Sequence, residues 1–223
     1  MLRFETAGES HGECLVATLS GCPVRISSRR DMGIQRRSRH RFAYRLTDRL
    51  YHQVHAVSDE VRSFYIREDG VDPRKLVIVQ NGVDLEEIDR APAGPAPADW
   101  GLEKGAEVIG CVANVRPVKG VDVLVRAAEI VCRHYPRARF LVMGEKQQHT
   151  PHYFNQVAEL ARSLKVAGNI HFCGRVANVP AALKLCGIYT QFSRSEGLSN
   201  ALLEAMACGL PCVATRVGGT AEV

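Results

Sequence analysis

What this 223-residue sequence lacks narrows its identity first. No stretch approaches the roughly 20 continuous apolar residues that a membrane-spanning helix needs. The opening MLRFETAGES also has no uninterrupted apolar core of the kind a secretion signal carries, so a cytoplasmic location is the expectation. Metal-ligand spacing is missing too. The eight cysteines, at 14, 22, 111, 132, 173, 186, 208 and 212, are scattered, most of them inside apolar runs such as VIGCVA and IHFCG. Cys208 and Cys212 stand without a second pair or a histidine at finger spacing. The thiols are therefore read as small buried hydrophobes, His149 and His152 as an exposed polar turn, and no metal is expected.

At 46% hydrophobic and 24% charged residues the chain lies near globular averages, which argues against disorder and against a fibrous architecture. The net charge of +5 gathers in residues 25–49, where Arg25, Arg29, Arg30, Arg36, Arg37, Arg39, Arg41, Arg45 and Arg49 outnumber two aspartates. Phe42, Tyr44, Leu46 and Leu50 interleave them at helical spacing. The run reads as an amphipathic helix with a solvated basic face, able to touch an anionic membrane surface peripherally. Nucleic-acid binding is the alternative, and it predicts a steep salt dependence.

From residue 102 onward, apolar runs at 107–112, 138–143, 169–173, 188–192 and 211–215 alternate with helix-length segments such as VDVLVRAAEIVCRHY. Near-continuous apolar strands are those buried on both faces, so the fold expected is α/β, a doubly wound parallel Rossmann-like sheet with ligands at the carboxyl ends of its strands. Upstream, APAGPAPADWG disfavours regular structure and marks a linker over 89–101. Residues 22–88 then form a remnant of a second α/β domain. In it Ser58 caps a helix that Gly70 closes, and the strand KLVIVQ leads to the turn NGVD at 81–84.

Two glutamates eight positions apart, Glu196 and Glu204, frame the segment SEGLSNALLEAMACGLP. Glu204 lies between Leu203 and Ala205, where an unpaired buried charge costs several kcal/mol, so something should be bonded to it. Ser199 or Asn200 starts a helix there. The backbone NH groups of Gly197, Leu198 and Ser199 would face an anion, which the helix dipole also favours. After the first strand of this half, Arg116 can fork onto phosphate oxygens and Lys119 can act as a point charge, together neutralising a leaving diphosphate. A glycoside hydrolase also uses two carboxylates, but it has no need of a phosphate-binding helix and a cationic loop.

On these residues, 22–223 resembles the retaining group 1 glycosyltransferases of the two-Rossmann-domain (GT-B) type, whose signature is E-x(7)-E followed by a small-residue helix and GxP[VC]VAT. Glu196, Glu204, Ala207, Cys208, Gly209, Pro211, Val213, Ala214, Thr215, Gly218 and Gly219 match it, as do VSDEV, NGVD and RPVKG. The resemblance implies a nucleotide-diphosphate-sugar donor site without metal. In it Arg116 and Lys119 hold the diphosphate, Glu204 the ribose hydroxyls, and Glu196 with Gly197, Leu198 and Ser199 the sugar or phosphates, while Gly174, Arg175 and Val176 approach the base. Transfer would retain anomeric configuration, to a glycan, lipid or small-molecule acceptor. The family has glycine and arginine where this chain has Ala113 and Asn114, leaving Arg116 as the substitute.

Residues 102–223 would then be the donor domain, ending where Thr220 and Glu222 should open a further helix, and 22–88 a part of the acceptor side. A nucleotide-sugar-binding module without turnover is the second reading, because transfer needs both substrates held together. Residues 1–21 stand apart. Their RFETAGESHG resembles the N-terminus of chorismate synthase, whose histidine, here His11, assists chemistry at a reduced flavin. That resemblance implies a foreign start joined near Gly21 and Cys22, and a flavin-dependent lyase fragment as a further alternative.

Overall fold

Apolar runs without polar alternation need cover on both faces, and in a computed structural model of this chain parallel sheets and their helices supply it. The structure describes residues 24–33, 44–45, 47–92, 100–103, 105–146 and 151–223. They fall into two units, one drawn from residues 1–81, 195–199 and 216–223 and the other from 82–194 and 200–215.

In the first unit β1 (Ile26–Arg29), β2 (Gln53–Ala56) and β3 (Leu76–Ile78) pair in parallel, in that order. Helix α1 (Asp59–Asp69) starts where the sequence places it, with Ser58 Oγ accepting from Val61 N at 3.2 Å, and it closes at Gly70. Two more of its amino-terminal donors are met by one carboxylate: Glu222 accepts from Asp59 N at 2.9 Å and from Glu60 N at 3.0 Å. Glu222 belongs to a 3-10 turn over Gly218–Glu222.

The single basic helix expected over residues 25–49 is corrected in its described part. Ile26–Arg29 is a strand, and Leu50, assigned to the helix's apolar face, is 55% exposed in a 3-10 turn. Arg29 is no solvated cation. It is 3% exposed, donates to Asp48 Oδ1 at 2.5 Å and to Ser27 Oγ at 2.9 Å, and lies over the rings of Tyr44 and Tyr65 at 4.7 and 5.2 Å. Residues 34–43 and Leu46 of that run lie outside the described residues.

The second unit carries β4 (Glu107–Val112), β5 (Ala138–Met143), β6 (Ile170–Gly174), β7 (Ile188–Gln191) and β8 (Cys212–Ala214), all parallel, in the order β6-β5-β4-β7-β8. That is the doubly wound Rossmann order. On one face α3 (Val121–His134) and α4 (Pro151–Ser163) pack on the sheet, with Val121, Leu124, Val125 and Ala128 forming α3's buried stripe at i, i+3, i+4 and i+7. On the other lie α5 (Val179–Leu183) and α6 (Asn200–Ala207), around Leu141, Leu183, Tyr189 and Leu202. Each fully buried Val or Leu contributes roughly 1.5–3 kcal/mol, against at most about 1 kcal/mol for an exposed ion pair such as Arg90–Glu86. Packing therefore decides this fold.

Helix α2 (Leu85–Arg90) opens at Asp84, whose carboxylate accepts from Glu87 N at 3.1 Å. Its carboxyl end is gathered by one cation. Lys184 Nζ donates to the carbonyls of Ile88 at 2.7 Å, Asp89 at 3.2 Å and Ala91 at 2.7 Å. Of the linker expected over 89–101, residues 93–99 lie outside the described residues, and Trp100 is 9% exposed within the second unit's core. Cys111 and Cys186 are buried as expected, whereas Cys132, Cys173, Cys208 and Cys212 are half-buried, and burial pushes the Cys186 thiol up to about 12. Among the described residues no helix is long and apolar enough to cross a membrane.

Removing one partner of a buried ion pair strands the other charge. Arg29→Ala is thus expected to lower unfolding free energy by about 3–5 kcal/mol in urea denaturation, where a solvated helix arginine would change it by at most about 0.5 kcal/mol.

Candidate functional site

Strands β4 and β7 are neighbours, paired through Ile109–Ile188 and Gly110–Tyr189, yet their chains leave for opposite faces of the sheet. β4 runs on to α3 on one face and β7 to α6 on the other. Such a divergence opens a crevice at the carboxyl ends of the strands, the usual ligand position in an open α/β sheet. The turn that carries Arg116 and Lys119 leaves the end of β4 at this point.

The turn is held tightly. Pro117–Lys119 is a 3-10 turn ended by Gly120 at φ +63°, and a Cβ on Gly120 would sit 1.9 Å from the carbonyl oxygen of Phe192, just past β7. Only glycine fits there. Arg194 N donates to Val118 O at 2.7 Å, and Arg194 Nη1 to Pro117 O at 2.5 Å. The same guanidinium forks onto Asp122 in the first turn of α3, at 2.8 and 2.6 Å. Tyr153 of α4 completes the group, its hydroxyl donating to Asp122 Oδ1 at 2.6 Å and accepting from Asp122 N at 3.3 Å.

These contacts set the ionisation of all three groups. The hydrogen bond from Arg194 holds the Asp122 carboxyl down at about 2, and that same bond raises the arginine above its ordinary value. Burial, reinforced by the bond to Asp122, pushes the Tyr153 phenol up to about 12. The carboxylate's stabilisation is present above its ordinary value of 3.8 and is lost as pH falls through about 2; the phenol's is present below 10 and is lost as pH rises through about 12. The cluster stays intact across the neutral range.

Of the residues singled out by sequence, the second unit holds six. Arg116 and Lys119 are half-buried at the end of β4, and Arg116 Nε is buried with no partner among the described residues. Gly174, with φ +69°, ends β6, followed by exposed Arg175 and by Val176, whose side chain packs into the core. Glu204 lies half-buried in the second turn of α6. The first unit holds the other four. There Gly197 is pressed against the backbone, a Cβ falling 1.9 Å from Arg30 O, and its carbonyl accepts from Gly219 N at 2.7 Å. Leu198 O accepts from Asn81 Nδ2 at 3.0 Å, Leu198 and Ser199 are buried, and Glu196 is half-buried.

The partner expected for Glu204 is not a protein group among the described residues. No hydrogen bond or ion pair reaches its carboxyl there, and desolvation, with the nearby Glu87 of α2, raises its pKa. Asn114, standing where the family signature has arginine, is occupied otherwise: its Oδ1 accepts from Glu145 N at 2.9 Å and ties β4's end to β5's. The roles of Arg194, Asp122, Tyr153, Lys184 and Glu87 escape sequence reading. Arg194 stands just before the glutamate segment and Asp122 just after RPVKG, so neither was singled out by the sequence. Tyr153 gave no signal at all.

The family model described as "Glycosyl transferases group 1" matches residues 106–223. The D-inositol 3-phosphate glycosyltransferase of Kineococcus radiotolerans is 33% identical over 179 residues, 77% of this chain and 40% of that protein. N-acetyl-alpha-D-glucosaminyl L-malate synthase of Bacillus anthracis is 30% identical over 155 residues, 69% of this chain and 39% of that protein. Anabaena HepE in complex with UDP-glucose matches with a TM-score of 0.73 at 22% identity, covering 86% of this chain and 52% of that one, a likeness of fold. The chain thus spans about two fifths of the length of the curated relatives it matches. Residues 1–21, including His11, lie outside the described residues, and these matches lend no support to the chorismate synthase likeness.

A carboxyl whose pKa is raised on folding binds its proton more tightly in the native state, so its contribution to stability falls as pH rises from its ordinary value of 4.5. Glu204→Gln is therefore expected to match the parent in thermal denaturation near pH 4, below the carboxyl's ordinary value, and to exceed it near pH 7. Glu87→Gln should narrow that gap; equal gaps at both pH values would contradict the assignment.

Proposed function

The chain belongs to the group 1 glycosyltransferases, and we propose that its second unit binds the diphosphate of a nucleotide-sugar donor where β4 and β7 diverge. The observation that carries this reading is a half-buried carboxyl, Glu204, with no protein partner among the described residues, in the unit whose switch point presents the Arg116–Lys119 turn. A desolvated carboxylate left unpaired is costly, and a ribose diol supplies the two donors it lacks. Lys119 and Arg116 offset the negative charge that grows on the diphosphate as it leaves, the stage at which stabilisation lowers the barrier. Glu196, with the backbone of Gly197, Leu198 and Ser199, takes the sugar or phosphates, and Gly174, Arg175 and Val176 the base.

In the proposed reaction the bond from the anomeric carbon to the diphosphate oxygen breaks and one to the acceptor oxygen forms on the same face. The acceptor proton passes to the departing diphosphate, and the transfer is retaining. No metal enters this scheme. Residues 102–223 are assigned to the donor side and 22–88 to part of the acceptor side, in a cytoplasmic enzyme. Exposed Arg25, Arg30, Arg45 and Arg49 remain available for peripheral contact with anionic lipid, whereas buried Arg29 does not.

UDP is the first nucleotide to try, since HepE was crystallised with UDP-glucose, followed by GDP and ADP. Calorimetry is expected to show one nucleoside diphosphate binding, with Lys119→Ala and Glu204→Ala each weakening it about tenfold or more, the loss of one charged hydrogen bond. Folded protein that binds none of the three overturns the proposal. Binding without consumption of the matching nucleotide sugar favours a donor-binding module without turnover.

A further inference from the structure

We infer that Arg194, two residues before Glu196 at the rim of the crevice, is a positioning residue that holds the Lys119 turn in shape for the diphosphate and does not itself contact the ligand. This rests on the reading that Lys119 and Arg116 carry the diphosphate.

Three of the guanidinium's five N–H groups have partners in the turn and in α3. Nη1 serves both Pro117 O at 2.5 Å and Asp122 Oδ1 at 2.8 Å, and Nη2 serves Asp122 Oδ2 at 2.6 Å. The backbone adds Arg194 N to Val118 O at 2.7 Å. Three consecutive elements are thereby bound to one residue just past β7: Pro117, Val118 and the first turn of α3. Lys119 lies between the second and the third. It cannot shift without breaking a bond to Arg194 or driving Gly120 against Phe192 O. Tyr153 holds the same carboxylate, its hydroxyl donating at 2.6 Å to the Oδ1 that also accepts from Arg194 Nη1, so Asp122 keeps a second tether.

A bidentate arginine–carboxylate pair is geometrically specific, and a lysine cannot reproduce its fork. Arg194 also brings no net charge to the crevice, because Asp122 neutralises it at 2.6 Å. Attraction of a diphosphate falls to the other two cations, and Arg194 supplies their placement. The side chain of Arg194 is 48% exposed, so solvent access alone would have nominated it as a ligand-binding cation. Its closure onto Asp122 and Pro117 argues the reverse.

The two roles predict opposite signs for one substitution. If Arg194 bound phosphate directly, Asp122→Asn would release a cation and remove an opposing charge, tightening diphosphate binding. If it positions the turn, Asp122→Asn loosens the strut and weakens binding. The test is calorimetry on the full chain with UDP against UMP, or with the GDP–GMP or ADP–AMP pair if that diphosphate binds better, together with thermal midpoints.

Asp122→Asn and Arg194→Lys are each expected to cut the diphosphate-over-monophosphate preference about fivefold or more while leaving monophosphate affinity near the parent's, the midpoint falling only by the lost stabilisation of the Asp122 carboxylate, and the double variant to lose little beyond either single one. Tighter or unchanged diphosphate binding by Asp122→Asn overturns the inference. So does equal loss for mono- and diphosphate, which marks general destabilisation. If Lys119→Ala abolishes the preference and Arg194→Lys keeps it, the inference falls and the donor-site reading stands. A parent chain without any diphosphate preference removes both.

Discussion

Two strands that pair side by side and then send their chains to opposite faces of a sheet leave a gap that no element of the sheet can fill. In the second unit that pair is β4 and β7, and everything proposed for this unit follows from the divergence. It places the β4 turn at a rim where a ligand can enter, and it sets α3 and α6 on different faces, so that cationic and carboxylate groups come from separate layers. The parallel order is fixed by burial. β5, flanked by β4 and β6, has five of its six residues buried, and no other placement covers a strand apolar on both faces.

A divergent pair is also a mechanical weakness, because neighbouring strand ends lose their ladder as they part. The contacts at Gly120 and Arg194 oppose that loss. One is steric, the carbonyl of Phe192 filling the place of a side chain, and the other is a fork of hydrogen bonds across the same gap. Farther along the rim Asn114 ties the end of β4 to that of β5 through Glu145. The cationic turn is therefore braced by both neighbouring strands, and a braced turn loses less conformational entropy when it closes on a ligand.

How far the sequence could be read depended on how local each interaction was. β5 was legible to the residue, since double burial writes itself as a near-continuous apolar run, and so was the half-buried β4, whose run EVIGCV carries one charged residue. The Ser58 cap and the Gly70 stop of α1 were legible because a cap reaches only three residues ahead. Arg29 was not, since its partner Asp48 lies 19 residues on, and a run of arginines averages a buried cation with exposed ones. In the candidate site the residue types were visible and their engagements were not. Arg194 and Asp122 are 72 residues apart and meet only once β7 has been inserted beside β4, a strand order no local pattern encodes. Glu204 was read as needing a partner, and the sequence could not say that the described protein would leave the place open.

The arrangement sorts its charged groups by what neutralises them. A cation about 4 Å from a phosphate oxygen is worth roughly 4 kcal/mol at an effective dielectric near 20, whereas a cation already closed onto a carboxylate presents only a dipole. Arg194 is in the second position: the Asp122 carboxyl is held at about 2, so the pair does not open across neutral pH. Asp122 also sits in the first turn of α3, where a carboxylate offsets the positive end of the helix dipole that would otherwise add to the pull on an anion. A site built for maximal attraction would keep neither feature. One built to hold a diphosphate at a fixed place and then release it gains from both, since affinity added equally to bound substrate and transition state leaves turnover unchanged. The carboxylate that lowers the local field is the one that fixes the turn, which ties the strength of binding and its geometry to the same residue.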